Sequence, residues 1–371
     1  MTKILTVNTG SSSVRLAVFV RAAAGHMTRV AEERHEDDDM GSARLLRGFM
    51  RRHDIGQPDI IAHRVVHGGA RFTAPCRIDQ DVESEIARLA PYAPLHNPRA
   101  LAWIRACREI FGPGAAQAAV FDTTFYAALP PVACTYAIDA VLAGRHALRR
   151  YGFHGLAHQA MWRRWRELAP EIAAGGRVIS LQLGAGCSIT AILNGAPQDT
   201  SMGFSPLEGL MMATRCGDLD PGLVTYLQRA EGLSPQDTEN LLNEQSGLLG
   251  VSGVSSDMRL VLGSTEPRAR LAVNLYCYRI RKYIGAYIAV LGGVDAILFG
   301  GGVGEHLARV RAQVLDGMEW TGVVLDHEAN AVTTGIENRI SRSDSRVAIW
   351  VVPVDEASIL AREAVAVVAG T

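Results

Sequence analysis

The stretch VNTGSSSVRLAVF, residues 7 to 19, places a glycine and three serines between two segments that read as β-strands. After the turn, Val14 and Leu16 alternate with Arg15 and Ala17, which is the two-residue period of a strand. We therefore predict a β-hairpin with the serines in its turn. Hydroxyl groups beside exposed backbone N–H groups form a cradle for an anion such as a phosphate, although most serine-rich turns are simply solvated.

Two further glycine clusters resemble this turn. One lies between strand-like segments in VISLQLGAGCSITAIL, residues 178 to 193, and the other is FGGGVGEH, residues 299 to 306. The second cluster follows the strand-like VDAILF and precedes the helical LARVRAQVL. Glycines allow a backbone to approach a ligand closely, and a helix N-terminus favours negative groups. This repetition predicts two related α/β halves that face each other across a nucleotide-binding cleft.

Length, charge and cysteine content restrict the class of protein. A chain of 371 residues exceeds one ordinary hydrophobic core, so we expect two domains. The 37 Lys and Arg nearly balance the 38 Asp and Glu, which favours small-molecule partners over nucleic acid or an anionic membrane. The six cysteines include no C-x-x-C pair, which argues against a zinc site or a disulfide framework and fits a reducing cytosol.

Two segments bear on localisation. The N-terminal residues lead directly into a strand pattern without a basic and then apolar leader, so we expect no secretion signal. Residues 268 to 292 are the most apolar long segment, but they include four arginines and a lysine. That composition predicts a buried or interface helix rather than a membrane span, and we expect a cytoplasmic protein.

Polar residues follow two other strand-like segments. DIIAHRVVH, residues 59 to 67, leads to Gly68 and Gly69, and QAAVF, residues 117 to 121, leads to Asp122. Ligands bind beyond the carboxyl ends of strands in open α/β sheets, so Asp122 is a candidate site residue.

Other candidates each have an ordinary structural interpretation. Arg64 and Arg215 carry guanidinium forks that suit phosphoryl and carboxylate oxygens, but a structural ion pair is the commoner role. His154 lies between glycines in a tight loop, where a histidine is more often structural than catalytic. Asp355 is the expected N-cap of a C-terminal helix, and Glu356 at its start either complements the helix dipole or binds a divalent cation.

The PLHNP segment, residues 94 to 98, places His96 and Asn97 between two prolines. Proline restricts the backbone there without regular structure. The ordinary interpretation is a rigid turn that leads into a helix at about residues 99 to 110.

At these residues the chain closely resembles the acetate kinase family, which belongs to the superfamily of acetate and sugar kinases, Hsp70 and actin. The resemblance runs essentially from end to end, in family order, through the motifs VNTGSSSVRL, HRVVHGG, APLHNP, VFDTTF, RRYGFHGLAH, DTSMGFSPLEGLMMATRCGDLDP, LLNEQSGLLGVSGVSSDMR and GGGVGEH. It implies that the GSSS turn is a first phosphate hairpin, with residues 184 to 188 as its counterpart in the second domain.

The resemblance implies an α/β fold of two RNase H-like, actin-like ATPase domains that face each other across a nucleotide and substrate cleft. Domain I would comprise residues 1–124 and 358–371 and carry the substrate side. Domain II would comprise residues 125–357 and carry the nucleotide side. The apolar helix at residues 268 to 292 is then a candidate interface of a homodimer.

The resemblance also implies catalytic roles. Arg64 and Arg215 would bind the substrate and clamp the transferred phosphoryl group, His154 would stabilise the transition state, and Asp122 would be the acidic catalytic residue. Phosphoryl transfer depends on positioning and on cations directed at the phosphoryl oxygens, and an acetate carboxylate needs no strong base. We therefore expect Asp122 to orient groups rather than to abstract a proton.

Metal and substrate contacts follow from the same motifs. Asn8 and Glu356 match the residues associated with Mg²⁺, for which Mn²⁺ is an alternative. The substrate pocket, including its small apolar part for the methyl group, would be formed by Arg64, Val66, Leu95, Phe153 and Pro206. One methylene group changes discrimination by only about 1–3 kcal/mol, so propionate should be a poorer but real substrate. Val66, rather than a smaller residue, favours acetate.

The nucleotide side departs from the family. The ATP or ADP contacts implied are Ser11, Ser13, Arg15, Gln182, Leu183, Gly184, Ala185, Gly186, Asp257, Met258, Arg259, Gly302, Val303, Gly304, Glu305 and His306. QLGAG replaces the usual HLGNG, so Gln182 stands for a histidine and Ala185 for an asparagine. The other replacements are Arg15 for a lysine, Gly300 for a threonine, His306 for an asparagine and Ala157 for a serine. Loss of an amide donor to a phosphate oxygen costs on the order of 1–3 kcal/mol, so either ATP binds more weakly or another donor is used.

The leading hypothesis is a magnesium-dependent kinase that converts ATP and acetate reversibly into ADP and acetyl phosphate. Within the same class, the alternatives are propionate or another short acyl substrate, or a phosphodonor other than ATP. The alternative of another class is a degenerate member that binds nucleotide or acyl phosphate as a regulatory protein, which the altered QLGAG turn suggests. We expect no nucleic-acid or membrane partner.

Overall fold

The computed structural model describes residues 1–10, 13–23, 25–36 and 41–370. The chain divides into two compact units. Unit 1 comprises Met1–Ala127, Phe153–Ala160 and Asp355–Thr371, and unit 2 comprises Ala128–Gly152 and Met161–Val354. The domain boundaries expected from the sequence, 1–124 with 358–371 and 125–357, stay a prediction.

Strands and helices alternate along most of the chain. The strands are β1 (Thr2–Thr9), β2 (Ser13–Arg21), β3 (Met27–Glu36), β4 (Ile60–Val65), β5 (Cys76–Arg77), β6 (Ala116–Phe121), β7 (Arg177–Leu183), β8 (Cys187–Leu193), β9 (Ala196–Thr200), β10 (Ala296–Gly300), β11 (Asn338–Arg339) and β12 (Ala348–Val351). The helices are α1 (Ser42–Arg52), α2 (Gln80–Arg88), α3 (Asn97–Phe111), α4 (Pro131–Cys134), α5 (Ala140–His146), α6 (Gly155–Leu168), α7 (Pro221–Ala230), α8 (Pro235–Glu244), α9 (Gly247–Ser252), α10 (Met258–Gly263), α11 (Pro267–Leu291), α12 (Gly301–His306), α13 (Ala308–Leu315), α14 (His327–Val332) and α15 (Glu356–Ala369).

Unit 1 is built on a six-stranded mixed sheet in the order β3-β2-β1-β4-β6-β5. The predicted hairpin is confirmed, since β1 and β2 pair antiparallel with Asn8 opposite Arg15. β4 runs parallel to both β1 and β6. The carboxyl ends of these three strands therefore meet at one edge of the sheet, where α/β proteins place their ligands.

Helices cover both faces of this sheet. Successive residues of β1 point to opposite faces, so Ile4 packs with α15 whereas Leu5 packs with α1 and α3. The Asp355 side chain accepts a hydrogen bond from the Ser358 backbone N–H at 3.1 Å, which confirms the expected N-cap of α15. The buried apolar residues of α15 are Ala357, Ile359, Leu360, Ala361, Ala364 and Val365. The C-terminal helix thus completes the core of unit 1 and fixes its own first residue, Glu356, beside the sheet.

Unit 2 has the same strand topology. Its six-stranded sheet has the order β9-β8-β7-β10-β12-β11 when read from the antiparallel end. β7 and β8 form the predicted second hairpin, and β10 runs parallel to β7 and β12. The prediction of two related α/β halves is confirmed by this repeated strand order.

The third glycine cluster differs from the prediction. The sequence suggested a loop with a ligand-binding helix N-terminus after it, but residues 301–306 themselves form the short helix α12. Gly301 has a φ of +76°, and a Cβ atom there would lie 2.7 Å from the Leu183 carbonyl oxygen. A helix with three glycines among six residues is intrinsically unstable, because each glycine costs roughly 1 kcal/mol relative to alanine. The helix therefore depends on contacts from outside itself.

Helix α11 is the long apolar segment that the sequence indicated. It runs from Pro267 to Leu291, and its exposed apolar residues are Leu271, Tyr278 and Val290. In the part of the chain that the structure describes, no helix is both long and apolar enough to cross a membrane.

Candidate active site

Three predicted site residues of unit 1 meet at the carboxyl edge of its sheet. Asn8 is the penultimate residue of β1, and Arg64 is the penultimate residue of β4. Asp122 follows β6 directly and begins a 3₁₀ turn, Asp122–Tyr126. The parallel register of these strands brings the three side chains together.

Arg64 and Asp122 form a bidentate ion pair. Arg64 Nε donates to Asp122 Oδ1 at 3.0 Å, and Arg64 Nη2 donates to Asp122 Oδ2 at 2.6 Å. Burial, the strongest influence, raises the pKa of the Asp122 carboxyl above its usual range, while Arg64 acts in the opposite direction. Burial alone would lower the pKa of Arg64, but the carboxylates of Asp122 and Glu356 raise it above its ordinary value. The pair holds the Arg64 guanidinium charged and in one orientation.

Asn8 and Glu356 extend this pair into a network. Asn8 Nδ2 donates to Glu356 Oε2 at 2.6 Å, and Arg64 Nη1 donates to Asn8 Oδ1 at 3.2 Å. Arg64 Nη1 also lies 3.9 Å from Glu356 Oε2. The structure therefore joins residues from β1, β4 and the start of α15 at one point.

Oxygen donors of this kind suit Mg²⁺. The ion prefers hard oxygen ligands and typically takes one or two carboxylates, with phosphate oxygens and water completing its shell. Asn8 supplies an amide oxygen and Glu356 a carboxylate, so the donor set fits the ion. Among the described residues there is no cluster of three or more His, Cys, Asp and Glu side chains that would hold a metal alone.

His154 is held against Asp122 by its backbone. Its φ of +56° is unusual for a residue with a side chain, and such strain costs on the order of 1–3 kcal/mol. A hydrogen bond from the His154 backbone reaches the Asp122 carboxylate, and Tyr126 Oη donates to the Phe153 carbonyl at 2.9 Å. A Cβ atom at Gly155 would lie 2.0 Å from the Asp122 carbonyl oxygen, so only glycine fits there. The predicted tight loop is thus held in one backbone conformation beside the carboxylate network, which consists of Asn8, Arg64, Asp122 and Glu356.

The predicted apolar pocket residues of unit 1 differ in exposure. Val66 and Phe153 are buried, whereas Leu95 is 53% exposed. The Phe153 ring lies 5.5 Å from the His67 ring in an edge-on arrangement. Pro206, the fourth predicted pocket residue, belongs to unit 2.

Asn97 has a role that the sequence did not reveal. Its side chain is fully buried at the start of α3, where it pairs with the backbone of His67. The His67 N–H donates to Asn97 Oδ1 at 3.1 Å, and Asn97 Nδ2 donates to the His67 carbonyl at 3.0 Å. The segment that follows Arg64 is therefore fixed by Asn97, and the PLHNP turn is more than an entry to a helix. The polar residue between two prolines was the only signal in the sequence.

Arg215, in unit 2, contacts neutral groups. Its Nη1 donates to the Pro206 carbonyl at 3.1 Å and lies 3.8 Å from Met212 Sδ. Burial lowers the pKa of Arg215 below its ordinary value. Among the described residues no carboxylate forms an ion pair with it, so the guanidinium remains available for an anion.

The second glycine turn contains a hydrogen bond between two of its own backbone groups. The Gly184 N–H donates to the Gly186 carbonyl at 3.1 Å, and the exposed Ala185 accepts a hydrogen bond from the Ala213 N–H at 3.0 Å through its carbonyl. The amide oxygen of Gln182 is buried and accepts no hydrogen bond from any residue that the structure describes.

A side chain at Gly300, where the family resemblance implies a threonine, would collide with its neighbours. A Cβ atom at Gly300 would lie 2.5 Å from Met161 Sδ and 2.6 Å from Val354 Cγ2. These side chains occupy the space that a larger residue would need. In this chain, Met161 and Val354 therefore leave no room for a side chain at position 300.

The remaining predicted nucleotide residues lie at several places. Asp257 is the N-cap of α10, and its side chain pairs with Arg259, which lowers the pKa of the carboxyl. Arg15, on β2, has its Nε 3.6 Å from a Glu32 carboxylate oxygen. Ser13 begins β2, and Ser11 lies outside the described residues.

Two cavities lie away from the carboxylate network. One, of about 410 Å³, is lined by residues of unit 1 that include Arg77, Arg108 and Gln117. The other, of about 380 Å³, lies in unit 2 where α10, α11 and α13 meet, and Arg270 and Arg309 are among its lining residues.

Comparison with known proteins shows the family of the chain. A family model described as the acetokinase family matches residues 28–362. The chain belongs to this acetate kinase family. An acetate kinase of Solibacter usitatus is 46% identical over 314 residues, covering 84% of the chain and 76% of that protein. An acetate kinase of Streptomyces avermitilis is 41% identical over 397 aligned residues, covering 99% of the chain and 98% of that protein.

Solved structures of acetate and propionate kinases share the fold of this family member. The Porphyromonas gingivalis acetate kinase superposes with a TM-score of 0.86 at 35% identity, covering 99% of the chain and all of that structure. A propionate kinase of Francisella tularensis gives a TM-score of 0.87 at 32% identity, with coverage of 98% and 99%. The predicted α/β fold class is confirmed by these neighbours and by the two similar sheets.

Proposed function

We propose that the chain is an acetate kinase, which transfers the γ-phosphoryl group of ATP reversibly to acetate and gives acetyl phosphate and ADP. The observation that carries this proposal is the network of Arg64, Asp122, Asn8 and Glu356, with His154 locked beside it. These groups supply cations, a metal-binding carboxylate and rigid support, which are the requirements of phosphoryl transfer.

In the forward reaction an acetate oxygen forms a bond to the γ-phosphorus while the bond from that phosphorus to the ADP oxygen breaks. No proton has to be removed, because the acetate carboxylate is already the nucleophile. Arg64 and Arg215 bind the carboxylate and the phosphoryl oxygens, and His154 stabilises the charge of the transition state. Asp122 orients Arg64 and keeps it charged, rather than acting as a base.

Mg²⁺ is the proposed metal, bound through Asn8 and Glu356, with Mn²⁺ as an alternative. When bound, the ion neutralises phosphate charge and aligns the polyphosphate chain. The fit of the donor set supports this choice, since both residues offer oxygen atoms next to Arg64.

ATP or ADP is the proposed co-substrate. Its phosphates would lie at Ser13, Arg15 and the turn at residues 182–186, and its nucleoside at residues 257–259 and 302–306. Ala185 offers no side-chain amide to a phosphate oxygen, so backbone N–H groups of the second turn supply the contacts on that side. Weaker ATP binding than in family members with an asparagine at this position is the expected consequence.

Propionate is the second candidate substrate, because a solved propionate kinase is as similar in fold as the acetate kinase. The pocket residues Val66 and Phe153 are both buried. Propionate differs from acetate by one methylene group, so the preference between the two substrates depends on that group alone. A discrimination of about tenfold to a few hundredfold in kcat/KM in favour of acetate is expected.

A cytoplasmic homodimer is the proposed state of the protein. Free cysteines fit a reducing compartment, and exposed apolar side chains on α11 fit a surface that a second copy covers.

The proposed activity is tested by incubating the purified protein with Mg²⁺, ATP and acetate, measuring ADP and trapping acetyl phosphate with hydroxylamine. We expect acetate-dependent turnover that Arg64→Ala abolishes. Arg47→Ala is the matched control, because Arg47 also pairs with an acid but lies on the exposed surface of α1.

Absence of turnover in both directions, in folded protein, would contradict the proposal. Binding of ADP or acetyl phosphate without turnover would then favour a regulatory binding role. Turnover with another phosphodonor but not with ATP would show that ATP is the wrong co-substrate, while acetate would remain the phosphoryl acceptor.

A further inference from the structure

Arg311, on α13, is a buried cation that donates to neutral hydrogen-bond acceptors. Its side chain is fully buried, and among the described residues no carboxylate forms an ion pair with it. Burial lowers the pKa of Arg311 to about 10. A buried charge is tolerated only where hydrogen bonds replace its lost hydration.

Neutral oxygen atoms supply those hydrogen bonds. Arg311 Nη1 donates to the carbonyls of Gly304 at 2.8 Å and Glu305 at 3.1 Å. Nη2 donates to the carbonyls of Asn330 at 2.9 Å and Thr333 at 2.8 Å, and Nε donates to Asn330 Oδ1 at 2.8 Å. The guanidinium fork is thus satisfied entirely by the backbone and one amide.

These acceptors lie at the C-terminal ends of two short helices, α12 and α14. The last four carbonyls of a helix have no partner within the helix, and they carry partial negative charge. A guanidinium placed there satisfies several carbonyls at once and has favourable electrostatics. Asn330 Nδ2 also donates to the Ala308 carbonyl at 2.9 Å, which ties α14 to the start of α13.

The other end of α12 is held by its own Glu305. Glu305 Oε1 accepts hydrogen bonds from the Gly301 N–H at 2.9 Å and the Val354 N–H at 3.1 Å. The Gly301 N–H at the N-terminus of α12 is therefore already hydrogen-bonded and does not donate to an anion. With glycine at half of its positions, α12 needs both attachments to keep a helical backbone.

We propose that Arg311 is a positioning residue for nucleotide binding, because it fixes the backbone of α12, which carries the nucleotide contacts at residues 302–306. This inference rests on the proposed function, since it takes those residues as contacts of ATP. Arg311 itself lies in the protein interior and acts through α12.

Arginine is suited to this position and lysine is not. Five rigidly arranged N–H donors reach acceptors on two helices, whereas an ammonium group presents three donors at one point. Arg311→Lys therefore keeps the charge but leaves carbonyls of α12 or α14 without a donor. Arg311→Met removes the charge as well.

The experiment measures steady-state kinetics for both substrates and the equilibrium dissociation constant of ADP in Arg311→Lys and Arg311→Met. We expect the KM for ATP and the Kd for ADP to rise at least about tenfold in both variants, which corresponds to the loss of one charged hydrogen bond or more. The KM for acetate should stay within about twofold of the original value. A general loss of folded protein would not separate the two substrates in this way.

Arg281→Met is the matched control. Arg281 also donates to carbonyls at a helix end, those of Gln313 and Val314 in α13, but it does not contact α12. This variant should keep the KM for ATP and the Kd for ADP.

Hydrogen exchange provides a readout that does not depend on activity. In Arg311→Lys, amides of residues 303–307 should exchange faster, while those of β10 keep their protection. This measurement uses the lysine variant because Arg311→Met is the one at greater risk of unfolding.

Two results would overturn the inference. One is an equal change in the KM values for ATP and acetate, and the other is unchanged exchange in α12 with unchanged ADP affinity. If the unaltered protein binds ADP but shows no acetate-dependent turnover, the proposed function fails while the ADP affinity still decides the role of Arg311.

Discussion

Arg64 and Arg215 have the same predicted role but opposite surroundings. Arg64 donates to Asp122 through Nε and Nη2 and to Asn8 through Nη1, whereas Arg215 contacts a carbonyl and a thioether sulfur. The orientation of Arg64 is thus set before substrate arrives, while no carboxylate of the described residues pairs with Arg215. The two side chains should therefore respond differently to the same substitution.

Methionine at either position should lower kcat/KM for acetate by about 10²–10³-fold, because each change removes a cation from the phosphoryl group. Only Arg64→Met should lower the free energy of unfolding substantially, by about 3–5 kcal/mol, since it leaves the buried Asp122 without its partner. Arg215→Met should change it by less than about 1 kcal/mol. Steady-state kinetics and urea unfolding measure both quantities.

The control for this prediction is the double variant Arg64→Met with Asp122→Asn. Asp122→Asn removes the carboxylate charge that Arg64→Met leaves unpaired, so it should restore most of the lost stability without restoring activity. Equal losses of stability in Arg215→Met and Arg64→Met would show that Arg215 also has an essential structural partner.

Gly302 is the glycine of α12 that packing does not require. A Cβ atom there would meet nothing within 4 Å, and its φ is ordinary. Gly302→Ala should leave the fold intact, even adding up to about 1 kcal/mol of helix propensity, yet raise the KM for ATP because the methyl group obstructs the nucleotide. Kinetics with varied ATP and thermal unfolding test both parts.

Gly144→Ala is the matched control for Gly302→Ala. Gly144 is also a helical glycine where a Cβ atom would meet nothing within 4 Å, but it lies on α5, outside the proposed nucleotide contacts. Its KM for ATP should remain unchanged. A similar KM in the two variants would place the nucleotide elsewhere.

Elements with local signals could be predicted from the sequence. The two hairpins, β4, β6 and the N-cap of α15 each follow from residues adjacent in the chain. α12 could not be predicted, because its glycines oppose a helix and its supports are Arg311 and the backbone N–H of Val354. The pairing of Asn97 with His67 joins residues 30 positions apart and likewise has no local signal.

Asn8, Arg64, Asp122 and Glu356 were each named as site residues from family motifs rather than from periodicity, but the hydrogen bonds that join them were not predicted. Strand-end position alone singled out Asp122, but it gave no reason for Arg64 to pair with it. Their contact depends on the parallel register of β4 and β6, in which Arg64 lies opposite Val120. Register of this kind is fixed by the whole sheet and is not visible in either strand.

β4 also carries a titratable group that the proposed mechanism does not use. His63 is buried, its Nε2 lies 2.7 Å from Gln117 Oε1, and its Nδ1 has no hydrogen-bond partner within the described part of the chain. Burial lowers the pKa of His63 to about 4, from 6.5 in an unfolded chain. The unfolded state therefore binds the proton first, and the stability that His63 contributes is present above pH 6.5 and lost as the pH falls toward 4.

Between pH 7 and pH 4.5 the free energy of unfolding of the unaltered protein should fall more than that of His63→Gln, by about 2 kcal/mol. Chemical unfolding at a series of pH values measures this difference. His26→Gln, at an exposed position, is the control and should follow the unaltered protein. Parallel curves for His63→Gln and the unaltered protein would contradict the prediction.

For the whole molecule, the proposed homodimer depends on α11. Leu271 and Tyr278 are about 60% exposed and lie seven residues apart, so they share one face of the helix. Replacing both with glutamate should produce a monomer, because two charges would be buried at the interface. Size-exclusion chromatography with light scattering measures the mass.

Val332→Glu is the control for the dimer prediction, since Val332 is also an exposed apolar residue but lies on α14. It should leave the mass unchanged. A monomeric unaltered protein at micromolar concentration would rule out α11 as a dimer interface.

The dependence of unit 1 on α15 has a consequence for biosynthesis. A ribosome makes the 227 residues between Ala127 and Asp355 before it delivers the helix that covers one face of the first sheet. At roughly 5–20 residues per second, that face lacks its cover for about 10–45 s in the nascent chain. Its apolar residues are open to chaperones or to other nascent chains during this interval. Because Glu356 arrives on the same helix, the chain acquires its proposed metal ligand only as its first sheet becomes covered.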